Sequence, residues 1–230
     1  MAEALTLARR EFILGGQKSG KSRRAELLAR DWLAQSAGHK AVLIATAQAW
    51  DEEMRERIAR HQRDRAERVP GMTTVEEPLH LADAIQQHSQ PDTLVVVDCL
   101  TLWLTHWLMP VEPVESATAQ SALLIQPDEI KITVRAELVE ALRQAQGERF
   151  MCSQVGALAQ AATLLIAIRA ASGPLILVGN EIGLGVIPLG AEVRAFVDAL
   201  GRLNQDVAEA CTRVTLMAAG LPLTLKGEGA

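Results

Sequence analysis

The stretch LGGQKSGKS, residues 14–22, completes the short apolar run Phe12-Ile13-Leu14 and opens a helical pattern that continues to Gln35. It matches the phosphate-loop spacing G-x-x-x-x-G-K-[ST], with Gly15, Gly20, Lys21 and Ser22 at the fixed places. Glycines let the backbone turn so that successive N–H groups face phosphate oxygens. Lys21 then reaches the β- and γ-phosphates, Ser22 is placed to ligate Mg²⁺, and the following helix presents its positive end. A strand before and a helix after are the context that separates this motif from a glycine turn with a chance Gly-Lys-Ser.

Outward from that loop, apolar runs recur at residues 11–15 (EFILG), 41–47 (AVLIATA), 93–99 (TLVVVDC) and 174–180 (PLILVGN). Continuous rather than alternating runs of this kind read as parallel strands buried on both faces. A shorter run, TTVEEP at 73–78, and the terminal pair VTLMAAG and LPLTLK complete the set. Helical patterns lie between them at 22–35, 51–65, 80–88 and 101–109. Near the C-terminus, Val193, Phe196, Val197, Leu200, Leu203 and Val207 repeat at three and four, with Arg194, Asp198, Arg202 and Glu209 on the other side. The alternation predicts a single α/β domain over residues 1–230: a mostly parallel sheet flanked by helices, with an antiparallel edge near the C-terminus. The segment from about 110 to 172 is long for one connection and reads as an atypical surface insertion, loop-like first and then an amphipathic helix.

Composition narrows the function. A formal net charge of -5 over 230 residues argues against a nonspecific nucleic-acid binder. The three cysteines, Cys99, Cys152 and Cys211, form neither a zinc pattern nor a disulfide framework, which suits a reducing cytoplasm. The N-terminus lacks the apolar core of a secretory signal, and the charge-free stretch 150–168 is broken by Ser153, Gln154, Gly156, Gln160 and Thr163. It reads as a helix covered by protein, not as a membrane span.

A triphosphate site needs an acid besides the loop. Asp98, which ends TLVVVD, stands where that carboxylate belongs, although an acid there can also cap the next helix. The guanine-binding signature Asn-Lys-x-Asp of signalling GTPases is missing, since none of the five lysines follows an asparagine. The stretch 45–65, ATAQAWDEEMRERIARHQRDR, places Asp51, Glu52 and Glu53 in a helix first turn and His61 four residues after Arg57. Read alone, His61 is a solvated helix histidine. A neutral imidazole beside guanidinium groups can also attack phosphorus.

Six pieces in order, GGQKSGKSRRAE, IATAQAWDEEMRERIARHQ, TTVEEP, VVVDCLTLWLT, VGNEIGLGVIP and ALGRLNQDVAEA, resemble the bifunctional adenosylcobinamide kinase / adenosylcobinamide-phosphate guanylyltransferase family of cobalamin synthesis. The resemblance implies a P-loop, RecA-like fold that phosphorylates adenosylcobinamide with ATP or GTP. It then implies guanylylation of the resulting phosphate with GTP through a GMP-histidine. The histidine falls on His61, and Lys21 is the other catalytic residue. The nucleotide contacts fall on Gly15, Gly16, Gln17, Lys18, Ser19, Gly20, Lys21 and Ser22, on Ala45, Thr46 and Ala47, and on Glu76 and Asp98, with Ser22 and Asp98 serving Mg²⁺. The expected partners are adenosylcobinamide and its phosphate, ATP or GTP, and two further copies of the chain in a homotrimer; neither nucleic acid nor a membrane is expected.

Some assignments stay open on the residues alone. Glu76 can accept from guanine N1–H and N2–H₂, or it can start the next helix ahead of Pro78. The glycine-rich NEIGLGVIP, residues 180–188, is either a loop closing over substrate or a turn with Gly183 and Gly185 at positive φ. Arg202 and Asn204 suit a subunit contact or a second site. His106 and Gly179 depart from the asparagine and the serine or threonine common in the family. The rival functions are a kinase or nucleotidyltransferase of narrower scope on another small molecule, and a non-catalytic nucleotide-binding protein.

Overall fold

In the computed structural model, residues 7–109 and 156–227 are described. The apolar runs become β1 (Arg10–Gly15), β2 (Lys40–Ala45), β4 (Thr93–Asp98) and β5 (Leu175–Val178); Met72–Glu76 forms β3, and Arg213–Ala218 and Leu221–Lys226 form β6 and β7. Helices α1 (Lys21–Gln35), α2 (Glu52–Arg68), α3 (Leu81–His88), α4 (Leu100–Leu108) and α6 (Ala191–Ala210) alternate with them, and residues 156–170 form α5.

One seven-stranded sheet results, in the order β3-β2-β4-β5-β1-β6-β7. Strands β1 to β6 run parallel and β7 pairs antiparallel with β6. The late strand β5 lies between β1 and β4, so the phosphate-loop strand and the strand ending in Asp98 are not neighbours.

Alternate side chains of each strand enter opposite layers, as the pleat requires. Phe12, Val95, Val97, Leu175 and Leu177 pack with α3 to α6; Ile13, Leu94, Val96, Ile176 and Val178 pack with α1. Leu164 and Ile168 of α5 are fully buried in the first layer. Over the described residues 156–168 the structure agrees with the covered-helix reading of 150–168 and not with the surface reading of the longer segment. Residues 156–170 are a core helix, because a charge-free, alanine-rich face packs closely on its neighbours. Residues 110–155, with the loop and amphipathic helix read there and Cys152, lie outside the described residues. Among those described, no helix is long and apolar enough to cross a membrane.

Two local devices brace the phosphate-loop edge. The β6–β7 hairpin turns through Ala219 and Gly220 at φ 51° and 81°, the two positive values a tight two-residue hairpin needs. Glu11, buried at the start of β1, accepts from Arg24 of α1 (3.1 Å) and Thr215 of β6 (2.9 Å). This ties three elements together beneath the loop.

Candidate active site

Parallel strands that end level with one another make a crevice at their carboxyl edge. Here Ala45 pairs in register with both Glu76 and Asp98, and Asp98 with Val178. Gly15 ends β1 on the same edge.

The phosphate loop is built as its residue types demand. Gly15 has φ 152°, and a Cβ there would sit 2.4 Å from the Met217 carbonyl oxygen and 2.6 Å from Ser19 Oγ. Gly20 (φ 101°) is the left-handed residue before α1. Lys18 also has positive φ, at 57°. Gly16, Gln17 and Lys18 are exposed, Ser19 is buried, and the Ser19 carbonyl accepts from Gly220 N–H of the hairpin (3.1 Å). The hairpin thus supports the loop from below. Lys21 is buried and its Nζ donates to the Gly16 carbonyl (2.6 Å), while Ser22 is half-buried in the first turn. Burial pushes the Lys21 ammonium below its ordinary value; the Asp98 carboxylate opposes that shift and the Arg57 guanidinium adds to it. Loop, strand-end acid and α2 therefore act on one lysine.

Thr46 contributes differently from its neighbours Ala45 and Ala47, which are half-buried at the end of β2. It is 0% exposed. Its hydroxyl donates to the Cys99 carbonyl (2.8 Å) and accepts from Cys99 N–H (2.9 Å). Its own N–H donates to the Asp98 carbonyl (3.1 Å), and its carbonyl accepts from His106 Nε2 (2.8 Å). Every polar group of Thr46 makes a hydrogen bond inside the protein, and its N–H holds the Asp98 carbonyl. His106, the departure noted in the sequence, is the buried far end of this clamp. Cys99 is core packing: burial, with Asp98 beside it, pushes its thiol up to about 11.

The helix-capping alternatives for Glu76 and Asp98 can be compared with the geometry. Glu77, not Glu76, accepts from Leu79 and His80 N–H at the entry to α3 (2.9 and 2.8 Å), and Glu76 stands exposed at the end of β3. The residue before α4 is Cys99, and no side chain caps that helix, so Asp98 is not spent on a cap.

Helix α2 starts on Asp51, whose side chain accepts from Met54 N–H (2.7 Å). Arg57, His61, Arg65 and Arg68 recur at i, i+4, i+8 and i+11, one stripe of the helix. Arg65 donates to Thr74 of β3 (3.2 Å), Arg68 pairs with Glu26 of α1, and Arg57 acts on Lys21. The stripe is thus held against β3 and α1. His61 lies within it and is open to solvent.

After β5 the chain is anchored at its root. Glu181 N–H donates to the Gly15 carbonyl (3.2 Å), Asn180 N–H to Thr101 Oγ1 (2.9 Å), and Asn204 of α6 to the Asn180 carbonyl (3.1 Å). Asn204 is buried, which corrects its reading as a subunit or second-site contact: its polar side chain is turned inward to hold this root. Beyond it Leu184, Val186, Ile187 and Leu189 are exposed by 77–98%. Neither Gly183 nor Gly185 has positive φ. Sequence reasoning missed the supports, namely Glu77, His106, Asn204, Met217 and Gly220. Of these the Ala-Gly turn alone left a readable signal.

A phosphate loop on β1, a strand-end carboxylate two strands away and a sheet of this order define a P-loop α/β nucleotide-binding protein of the RecA-like class. Comparison with known proteins carries this further. The model of the cobinamide kinase / cobinamide phosphate guanyltransferase family matches residues 11–225, and the chain belongs to that family. It is 40% identical over 219 residues to the bifunctional adenosylcobalamin biosynthesis protein CobP of Pseudomonas aeruginosa, covering 95% of this chain and 98% of that protein. It is 30% identical over 215 residues to the bifunctional adenosylcobalamin biosynthesis protein CobU of Escherichia coli, covering 94% and 98% respectively.

Proposed function

We propose that the protein phosphorylates the aminopropanol hydroxyl of adenosylcobinamide with ATP or GTP, then transfers GMP from GTP to the new phosphate, giving adenosylcobinamide-GDP. The observation that carries this reading is a complete phosphate loop whose Lys21 feels the charge of Arg57 on α2, the helix that carries the exposed His61 one turn further on. A kinase needs the loop alone. A covalent nucleotide gives His61 a use.

In the first reaction the hydroxyl oxygen attacks the γ-phosphorus. The bond from that phosphorus to the β–γ bridging oxygen breaks, the nucleoside diphosphate leaves, and the hydroxyl proton passes to water. Lys21 and the loop N–H groups hold the phosphate charge in a fixed, partly dry cradle. In the second reaction a neutral imidazole nitrogen of His61 attacks the α-phosphorus of GTP. The N–P bond forms, the α–β bridging bond breaks, and pyrophosphate leaves. An oxygen of adenosylcobinamide phosphate then attacks the same phosphorus, and the P–N electron pair returns to the ring.

Strand β3 is the edge of the sheet, four strand spacings or roughly 19 Å from β1 at ~4.8 Å each. Glu76 there is free to accept from guanine, on the side to which Arg65 ties the histidine helix. Gly15 to Ser22, Ala45, Ala47 and Asp98 line the remaining course of the nucleotide, with Thr46 as support. Mg²⁺ suits the donors present: the Ser22 hydroxyl and the Asp98 carboxylate are hard oxygen ligands, and two protein ligands beside phosphate and water are the usual Mg²⁺ arrangement. Bound there, it supplies positive charge to the triphosphate. Among the described residues no group of three or more His, Cys, Asp or Glu is arranged to hold a metal alone. The exposed aliphatic loop at 184–189 suits a bulky, partly apolar acceptor. We read the chain as one domain working as a cytoplasmic homotrimer, on the strength of the family resemblance.

The test is incubation with α-labelled GTP and Mg²⁺ without corrinoid, beside His61→Ala. Acid-labile, base-stable label on the parent protein that disappears in the variant is the expected result. A folded protein that binds GTP and takes no label would remove the histidine mechanism.

A further inference from the structure

Helix α2 is attached in an unusual way. A helix in an α/β layer normally docks by an apolar stripe, but of the seventeen residues of α2 the one buried side chain is Arg65. Its fastening is polar and gathered at its C-terminal end. Arg65 donates to Thr74 of β3. Arg68 pairs with Glu26 of α1, whose side chain is nearly inaccessible, and with Asp64 one turn back on α2 (3.2 Å). Val69 follows at once, packed among the core residues beneath α1. His61 stands two turns before Arg68 on the same stripe and is exposed, so its position is set from that anchored end.

The chemistry at the two ends differs. Lys21, Ser22 and Asp98 lie on α1 and β4; among the described residues no hydrogen bond or ion pair ties them to α2, and Arg57 bears on Lys21 through its charge alone. His61 is carried by α2 itself.

We propose that the Arg68–Glu26 ion pair, with Asp64 as its second arm, is a positioning device for guanylyl transfer and not for phosphoryl transfer. This rests on His61 carrying the nucleotide. Glu26 lies five residues past Lys21 on the same helix, so the pair fixes the histidine helix directly to the helix that bears the phosphate loop. Breaking it leaves the loop intact and lets the arm that carries His61 drift. A displacement of about 1 Å is enough to cost on the order of a hundredfold in an in-line attack. Lysine in place of Arg68 keeps the charge but loses the fork that spans Glu26 and Asp64 together, so it restores part of the rate.

The experiment measures two rates on each preparation: phosphorylation of adenosylcobinamide by ATP, and formation of covalent GMP from labelled GTP. For Arg68→Met and Glu26→Gln the expectation is a fall of at least about tenfold in covalent GMP formation, with kinase kcat within about twofold of the parent. Arg68→Lys is expected to lie between. Parallel losses in both rates, or unchanged GMP formation, overturn the proposal. If Arg68→Met does not fold, the parent protein decides: covalent GMP formation should fall more steeply with added KCl than kinase turnover, and equal slopes overturn the proposal. His61→Ala separates the two levels, because label persisting in that variant refutes the histidine reading itself and not the positioning device.

Discussion

Replacing Thr46 by valine keeps the shape of the side chain and removes one hydroxyl. That hydroxyl is the clamp between β2 and β4: it donates to the Cys99 carbonyl at 2.8 Å and accepts from Cys99 N–H at 2.9 Å, in a place water does not reach. Losing two buried hydrogen bonds forfeits about 1 kcal/mol each, and stranding a buried N–H and C=O costs about 1–3 kcal/mol per group when no partner replaces them. Partial relaxation of the strand end brings the expected loss to about 2–4 kcal/mol. For a chain of this size that lowers the melting temperature by roughly 5–15 °C. Thr46→Ser keeps the hydroxyl and drops a methyl group, so it should cost about 1 kcal/mol. Urea unfolding of the three proteins measures the difference directly. Because Asp98 hangs on the same clamp, Thr46→Val should also lower kinase turnover at saturating ATP in the fraction that remains folded. A valine variant within about 0.5 kcal/mol of the serine variant would refute the reasoning, since the hydroxyl would then carry no net stability.

Two further outcomes follow from packing and burial. A Cβ on Gly179 would lie 2.9 Å from Phe12 Cε2, so Gly179→Ser should destabilise by about 1–3 kcal/mol. Phe12→Leu in the same chain should recover much of that, and strictly additive effects in a double-mutant cycle would show that the two do not meet. The Cys99 thiol is held up to about 11 from an ordinary 9.0, first by burial and then by Asp98. Because the folded value is the higher one, this term is intact below pH 9 and is lost as pH rises from 9 through 11. At pH near 8.5 the folded protein should hold roughly a hundredfold less Cys99 thiolate than the urea-unfolded chain. Peptide-resolved iodoacetamide labelling reads that ratio, and rates within about fivefold would deny the burial argument.

Much of this was legible in the residues. Uninterrupted Val, Leu and Ile runs can satisfy both layers of a parallel sheet and little else, so β1, β2, β4 and β5 fall within two or three residues of the apolar runs at 11–15, 41–47, 93–99 and 174–180. The phosphate loop was readable because its backbone conformation admits few residue types. Strand order was not, since nothing in LILV says that it enters between β1 and β4. The charge-free stretch 150–168 was legible as a covered helix, but what covers it was not, because the other members of its cluster, such as Trp103 and Leu203, are distant in sequence. Thr46, His106 and Asn204 were opaque for the same reason: a buried hydrogen bond between residues 53, 60 or 24 positions apart leaves no periodic mark. The N-terminal end of α6 shows the converse. Its apolar spacing suggests burial, yet Val193 is exposed, Phe196 and Ala199 are only partly buried, and the fully buried residues begin at Leu200.

Among the described residues there is one phosphate loop, and Lys21 is its one lysine that folds inward. Two reactions that each consume a nucleoside triphosphate must therefore take turns at a single seat. On the proposed histidine route the spent diphosphate has to leave before GTP can settle with its α-phosphorus toward His61, and a nucleotide occupying the loop for one reaction bars the other. ATP then acts as a competitor of guanylylation as well as a phosphate donor, and the balance between the two nucleotides, more than the amount of either, sets how quickly a corrinoid passes from alcohol to activated diphosphate.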